Sequence, residues 1–366
     1  MLKPDREQLS HRQQTCSAPY LCDRGDSAAV EGVKMAGSKK VVVIGLDGAD
    51  WRVISPWIDG GELPTLARLV SEGASGKLRT TIRPESSVAW SSFSTGVNPG
   101  KHGVFGFVGY VPQSHQYALA NSSRIRARRF WDLLGEQGKK VGLLNIPLTY
   151  PPTPVNGYLI AGMLTPDTNV TFTHPPELKH TLRNRFGEYI LDTHRPGQAR
   201  AALVEHVRQH TAQQCDIALF LLEKPWDFFG MVFTGPDRLQ HFLWADMDSR
   251  HPMHDPSASP RFGRELLHHY RLLDDALARI LACLPAETLV ILVSDHGFNG
   301  CARRFHVNQW LRTQGLLELR QSGQRTPSLV PLLTRLKSVP WLRRFGRTIT
   351  QGKLTSTSLH SRAFVQ

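Results

Sequence analysis

The sequence predicts an α/β fold: a mostly parallel central sheet with helices on both faces. Three observations carry this expectation. Short all-apolar runs such as VVVIGL and LVILV alternate along the chain with longer stretches of helical period. Unbroken apolar runs suit strands buried on both faces, which is the habit of parallel sheets. Several of the runs also end on an ionisable residue, just where open α/β sheets hold their ligands.

Taken in order, KKVVVIGLDGADW opens with a buried strand that stops at Asp47 and turns through Gly48. LPTLARLVSEG reads as the helix after it, closed by Gly73. A second unit repeats the order. RRFWDLLGEQG is an amphipathic helix ended by Gly138, and KKVGLLNIPLTYPP is a strand broken at Pro147. RAALVEHVRQHTAQQCDIALFLLEKP then reads as a long helix and WDFFGMVFTGPD as a strand. ELLHHYRLLDDALARILACLP is the last long helix, before LVILVSDHG. No internal repeat of solenoid or propeller period is present.

Composition narrows the class. At 366 residues the chain can form one large α/β domain or two smaller ones, and no apolar run is long enough to span a bilayer. The five cysteines are scattered without a CxxC pair, which argues against a disulfide framework or zinc ribbon and fits a reducing cytoplasm. The net charge of +13 is uneven: from Cys301 onward there are twelve Lys or Arg against the single acid Glu318. Such a tail suits anionic substrates or an anionic membrane surface, or is a solvated helical segment. Aromatic-interleaved basic motifs are lacking, which makes nucleic acid an unlikely partner. Residues 1–38 have no apolar periodicity and no signal-peptide core, so they read as a disordered extension in which Met35 is a candidate natural start.

Asp47, Asp237 and Asp295 each follow a strand-like run. One such ending is ordinary, and the Asp295–His296 pair alone would most simply be a polar strand end. Three carboxylates converging at one sheet edge would repel one another unless a cation lay between them. His241 follows Asp237 by one helical turn, so both could face one ion. Its alternative role is packing beside Phe242 and Trp244. TTIRPESSVAWSSFSTGVNPGKHGVFGF, residues 80–107, is dense in hydroxyls, lacks a strong period and reads as a loop entering next to these carboxylates.

GLDG, the hydroxyl-rich segment ending in TGVNPGKHG, the DRLQH element and SDHG, in this order, resemble the alkaline phosphatase superfamily. The branch is that of type I phosphodiesterase/nucleotide pyrophosphatase-like phosphohydrolases, which is related to cofactor-independent phosphoglycerate mutases. WDLLGEQGKKVGLLNIPLTYPPTPVNGYLIAGMLTP is similar to a segment of the predicted phosphohydrolase/phosphomutase subgroup. The likeness implies an alkaline-phosphatase-like domain over residues 39–317, followed by a basic tail over 318–366. It also implies two divalent cations, Zn²⁺ foremost and Mn²⁺ second. Asp47, Asp295 and His296 would bind one, and Asp237 and His241 the other. The nucleophile lies nine residues before the Thr of the Thr-Gly pair, which from Thr95 gives Ser86, also a metal ligand; its neighbour Ser87 stays open because Val88 stands where proline is common. Phe107 occupies the position at which nucleotide pyrophosphatases carry a phosphate-holding Asn, so nucleotide diesters are the less expected substrates.

The activity implied is hydrolysis of phosphate mono- or diesters of small phosphorylated substrates. The alternatives are a phosphomutase and an inactive relative that only binds phosphorylated ligand. His102 and His306 are expected to be structural rather than ligating. A last histidine completing the Asp237/His241 site is expected of the family, yet after His306 only His360 follows, without a flanking glycine. The expectation is therefore a C-terminally incomplete sheet with one strong and one weak cation site.

Overall fold

The computed structural model describes residues 39–111, 116–192 and 199–318. The extension with Met35 and the basic tail from 319 with His360 lie outside them. The chain divides into two units at Ser38/Lys39, and every element below belongs to the second.

The first half runs β1 (Val41–Leu46), α1 (Trp51–Asp59), α2 (Pro64–Glu72), α3 (Ser86–Thr95), α4 (Pro99–His102), β2 (Val108–Val111), β3 (Gln116–Leu119), α5 (Phe130–Glu136), β4 (Val141–Ile146), β5 (Gly157–Ala161) and β6 (Thr173–His174). The second half runs α6 (Leu178–Phe186), α7 (Arg200–Leu222), β7 (Phe228–Phe233), α8 (Gly235–Met247), α9 (Ser259–Phe262), α10 (Glu265–Ala282), β8 (Leu289–Val293) and α11 (Val307–Thr313).

Six strands form the central sheet in the order β6-β5-β4-β7-β1-β8, and β2 with β3 makes a separate hairpin. Every pairing in the large sheet is parallel except that of β5 with the two-residue β6. The order places β7, β1 and β8 side by side. Their registers are level: Leu46 pairs with Phe233, and Gly45 with Val293. Three strands that end together bring together whatever follows them, which is why three distant Asp residues can meet.

Helices cover both faces. Adjacent residues of a strand point to opposite sides of the sheet. On β1, Gly45 lies against Trp90 of α3, while Leu46 shares a groove with Ile54 of α1 and Leu66 of α2. The apolar core runs along the sheet, with Val42, Ile44, Leu143, Leu144, Phe229 and Phe233 almost wholly buried.

Three local expectations change. The hydroxyl-rich segment is not all loop: Ser86–Thr95 is helical, closed by Gly96 in the left-handed conformation. Its period is weak because four serines share the buried positions with Val88, Ala89 and Trp90. A helix over Trp51–Asp59 precedes the expected one despite carrying Pro56 in its interior. Finally, β8 is not buried on both faces. It is the sheet's edge among the described residues, and Leu289 and Ile291 are 53% and 41% exposed. No helix among the described residues is long and apolar enough to cross a membrane.

Candidate functional site

Asp47 is the first residue past β1 and is wholly buried. Gly48 then takes φ +70°, a left-handed turn that a side chain would strain. This turn is shared property. The Gly48 N–H donates to Asp295 Oδ1 at 3.1 Å, and its carbonyl accepts from Gln240 Nε2 at 2.8 Å. A Cβ here would stand 3.1 Å from that of Asp237. The loops after β1 and β8 and the first turn of α8 are thus laced through one glycine.

Asp237 lies in the first turn of α8 rather than at the strand tip, and its N–H donates to the Asp47 carbonyl at 3.1 Å. Ser86 opens α3, so the positive end of that helix underlies its hydroxyl. Ser86 Oγ is 3.0 Å from Asp47 Oδ1 and 3.1 Å from His296 Nε2. Ser87 turns elsewhere and donates to Glu85 Oε1 at 3.1 Å. His296 Nε2 is also 3.4 Å from Asp295 Oδ2, while His241 Nε2 is 3.3 Å from Asp237 Oδ1. All six site residues named from the sequence therefore gather at one end of β7, β1 and β8. Atoms of Asp47, Asp237 and His296 lie within 4.8 Å of one another, a possible metal site that takes members from both expected ligand sets.

The donor chemistry fits a cation. His296 Nδ1 is 2.9 Å from the Gly297 carbonyl, which can only accept, so Nδ1 carries the proton and the Nε2 lone pair faces Ser86 and Asp47. Asp295 Oδ2 is buried without a hydrogen-bond partner. Burial, then the charges of Asp295 and Asp237, pushes the Asp47 carboxyl well above its usual range. Asp295 is raised to about 6, chiefly by burial. Burial would lift Asp237 too, but the hydrogen bond and charge of His241, with Arg238 beside it, hold it below its usual value. The fold keeps negative charge here against resistance, and a divalent ion would relieve it.

His102 behaves as a loop residue. It is fully buried, accepts from the Val104 N–H through Nδ1 at 3.2 Å, and so offers Nε2–H to Ser92 Oγ at 2.9 Å. His306 is exposed at the start of α11 and belongs to no metal-type cluster among the described residues. Among those residues His296 is the further histidine beside Asp237, and the histidine expected after the SDHG element is not found there. The Phe107 N–H donates to Glu85 Oε1, the residue ahead of Ser86, so this position ties its loop to the start of α3.

A model of the type I phosphodiesterase / nucleotide pyrophosphatase family matches residues 41–340. The chain belongs to this family. No curated protein sequence matches it. Among solved structures it is similar to phosphonoacetate hydrolase from Sinorhizobium meliloti 1021, in complex with phosphonoacetate. That likeness has 16% identity and a TM-score of 0.49, over 77% of this chain and 63% of that one. Murine ectonucleotide pyrophosphatase / phosphodiesterase 5 is similar at 12% identity and a TM-score of 0.45, over 71% of this chain and 57% of that one. The chain thus spans about three-fifths of the length of these structures.

Two contributors to the candidate site are not among the residues named from the sequence. Trp90, one helical turn after Ser86, donates its indole N–H to Asp47 Oδ2 at 2.9 Å. The i, i+4 spacing from Ser86 was the available signal, once residues 86–95 are taken as a helix. The other is the half-buried pair of Arg238 with Asp192 at 2.7 Å, which ties the residue after Asp237 to a segment 46 positions earlier. Nothing local foretells it. Trp90→Phe keeps the ring but leaves Asp47 Oδ2 without its donor. Metal affinity is expected to fall by roughly 10- to 100-fold, as for other partners that orient metal ligands. Calorimetric titration of the metal-free variant checks this, and unchanged affinity would assign Trp90 to packing alone.

Proposed function

We propose that the chain hydrolyses phosphate mono- or diesters of small phosphorylated substrates, with Ser86 as the nucleophile beside two divalent cations. One observation carries this reading: the Ser86 hydroxyl lies within hydrogen-bond distance of both Asp47 and His296, amid Asp237 and Asp295. Family membership supports the reaction class.

Asp47, Asp295 and His296 would hold one cation and Asp237 with His241 the other. A mixed Asp/His set suits Zn²⁺, or Mn²⁺ where carboxylates dominate. Bound cations would lower the pKa of the serine hydroxyl and neutralise charge on the departing oxygen. The chain's own residues do the rest. Asp47 Oδ1 accepts the hydrogen bond of the hydroxyl and can take its proton, while His296 Nε2, whose lone pair the cation would use, fixes the position of the oxygen aimed at phosphorus. Attack breaks the ester bond from phosphorus to the leaving oxygen, which takes up the proton that Asp47 received, and leaves the phosphoryl group on Ser86. Water then cleaves the Ser86–phosphorus bond and restores the hydroxyl. The amino end of α3 favours the negative charge that appears on Ser86 and on the phosphoryl oxygens.

Purified protein, loaded with Zn²⁺ or Mn²⁺, should turn over p-nitrophenyl phosphate, bis-p-nitrophenyl phosphate or phenylphosphonate esters. Monoester turnover above diester turnover would mark a phosphatase, and the reverse a phosphodiesterase. Transfer to a second hydroxyl of the substrate, without release of phosphate, would mark a mutase. Absence of turnover with metal bound would replace hydrolysis by ligand binding.

A further inference from the structure

His241 is an odd ligand candidate. Its side chain is 56% exposed, so packing alone does not fix where its ring points. Two contacts do. One is Asp237, and the other is Phe298, two residues past His296. The Phe298 and His241 ring centroids are 4.8 Å apart with the planes at 84°, an edge-to-face pair.

Phe298 is itself held on three sides. Its N–H donates to Asp50 Oδ2 at 3.1 Å, and its carbonyl accepts from the Arg52 guanidinium at 2.8 Å. Its ring stacks on Trp244 at 5.4 Å and 30°. Asp50 and Arg52 bind each other through two further side-chain contacts of 3.0 and 2.8 Å. The Asp50 carboxylate can approach only because residue 297 is glycine: a Cβ there would lie 2.3 Å from Asp50 Oδ2. The resulting chain of contacts starts in the loop that carries Asp47, passes through the loop that carries His296, and ends on the helix that carries Asp237 and His241.

We propose that Phe298, clamped by Asp50 and Arg52, is the positioning residue for His241. It holds the imidazole against Asp237 and so sets the affinity and geometry of that cation site. The inference rests on the two-cation reading above. A ring edge is a suitable device for this task, because it restricts an exposed imidazole without competing for its nitrogens.

Cobalt(II) titration of the metal-free full chain tests it, read by visible absorption and calorimetry. In the wild type, a second cobalt equivalent that is lost in His241→Ala identifies the His241-dependent site. Phe298→Ala should weaken that equivalent by roughly 10- to 100-fold and alter its absorption bands. The first equivalent should keep wild-type affinity, which shows that the variant is folded. Phe298→Tyr retains the ring and should restore binding. Asp50→Asn should show a smaller loss at the same equivalent. If His241→Ala removes the second equivalent while Phe298→Ala binds and absorbs like the wild type, the positioning role is wrong and the two-cation reading stands. If wild type and His241→Ala titrate identically, the Asp237/His241 site does not exist and the proposal falls with it.

Discussion

Replacing Ser86 by alanine is expected to lower turnover by at least about four orders of magnitude, the scale on which removal of a covalent nucleophile acts. The same change should leave folding and metal content nearly intact. Ser86 contributes one neutral hydroxyl to a site otherwise built from three carboxylates and two histidines. Losing its hydrogen bond to Asp47 costs about 1 kcal/mol. Ser87→Ala is the paired control. Ser87 is as buried as Ser86, but its hydroxyl is committed to Glu85, so its loss should alter rate only slightly. Steady-state rates with parallel metal analysis separate the two. An active Ser86→Ala protein beside an inactive Ser87→Ala protein would move the nucleophile by one residue, and with it the face of α3 that meets the ions.

The meeting of these ionisable side chains was legible in the sequence because parallel strands make strand ends meaningful. β7, β1 and β8 are neighbours with level ends, so Asp47 and Asp295, just past two of them, and Asp237, in the helical turn after the third, fall at the same crevice. Apolar runs supplied the strands, and their terminal residues supplied the chemistry. The helix that presents Ser86 was not legible by periodicity. Its buried positions mix Ser86, Ser87, Ser91 and Ser94 with the consecutive Val88, Ala89 and Trp90, so the apolar residues follow no helical period. The support behind the ligands was illegible for a different reason. Asp50 reaches Phe298, Arg238 reaches Asp192, and Gly48 reaches Asp295, each across a separation that only the folded sheet closes. Such contacts depend on register between elements rather than on the order of residues within one.

The second large effect concerns the ligands themselves, and charge decides its form. Asp295→Asn and His296→Ala should each lower affinity for the ion by more than about a hundredfold and abolish turnover, since both lose an atom that faces it. Asp295→Asn should also change how the metal-free protein responds to pH. Asp295 is raised to about 6 from an ordinary 3.8, mainly because burial penalises its charge. In the wild type without metal, the favourable contribution of this carboxyl is complete below about pH 4 and is lost as pH rises through about 6. Asparagine cannot ionise, yet its carbonyl can still accept from the Gly48 N–H. At pH 8 in chelator, Asp295→Asn should therefore unfold at a higher temperature than the wild type, with the gap closing toward pH 4. Added Zn²⁺ should reverse the order, because it stabilises the folded wild type by mass action and finds no strong site in the variant. His296→Ala loses the metal response without the gain at pH 8, since the buried carboxyl of Asp295 remains. Thermal unfolding with and without metal across this pH range reads all three proteins. Full metal occupancy in Asp295→Asn would remove this residue from the ligand set. Parallel curves for metal-free wild type and variant would show that Asp295 is not strained by burial. The crossing of the two curves is the behaviour expected of a carboxylate that the fold tolerates for the ion it receives.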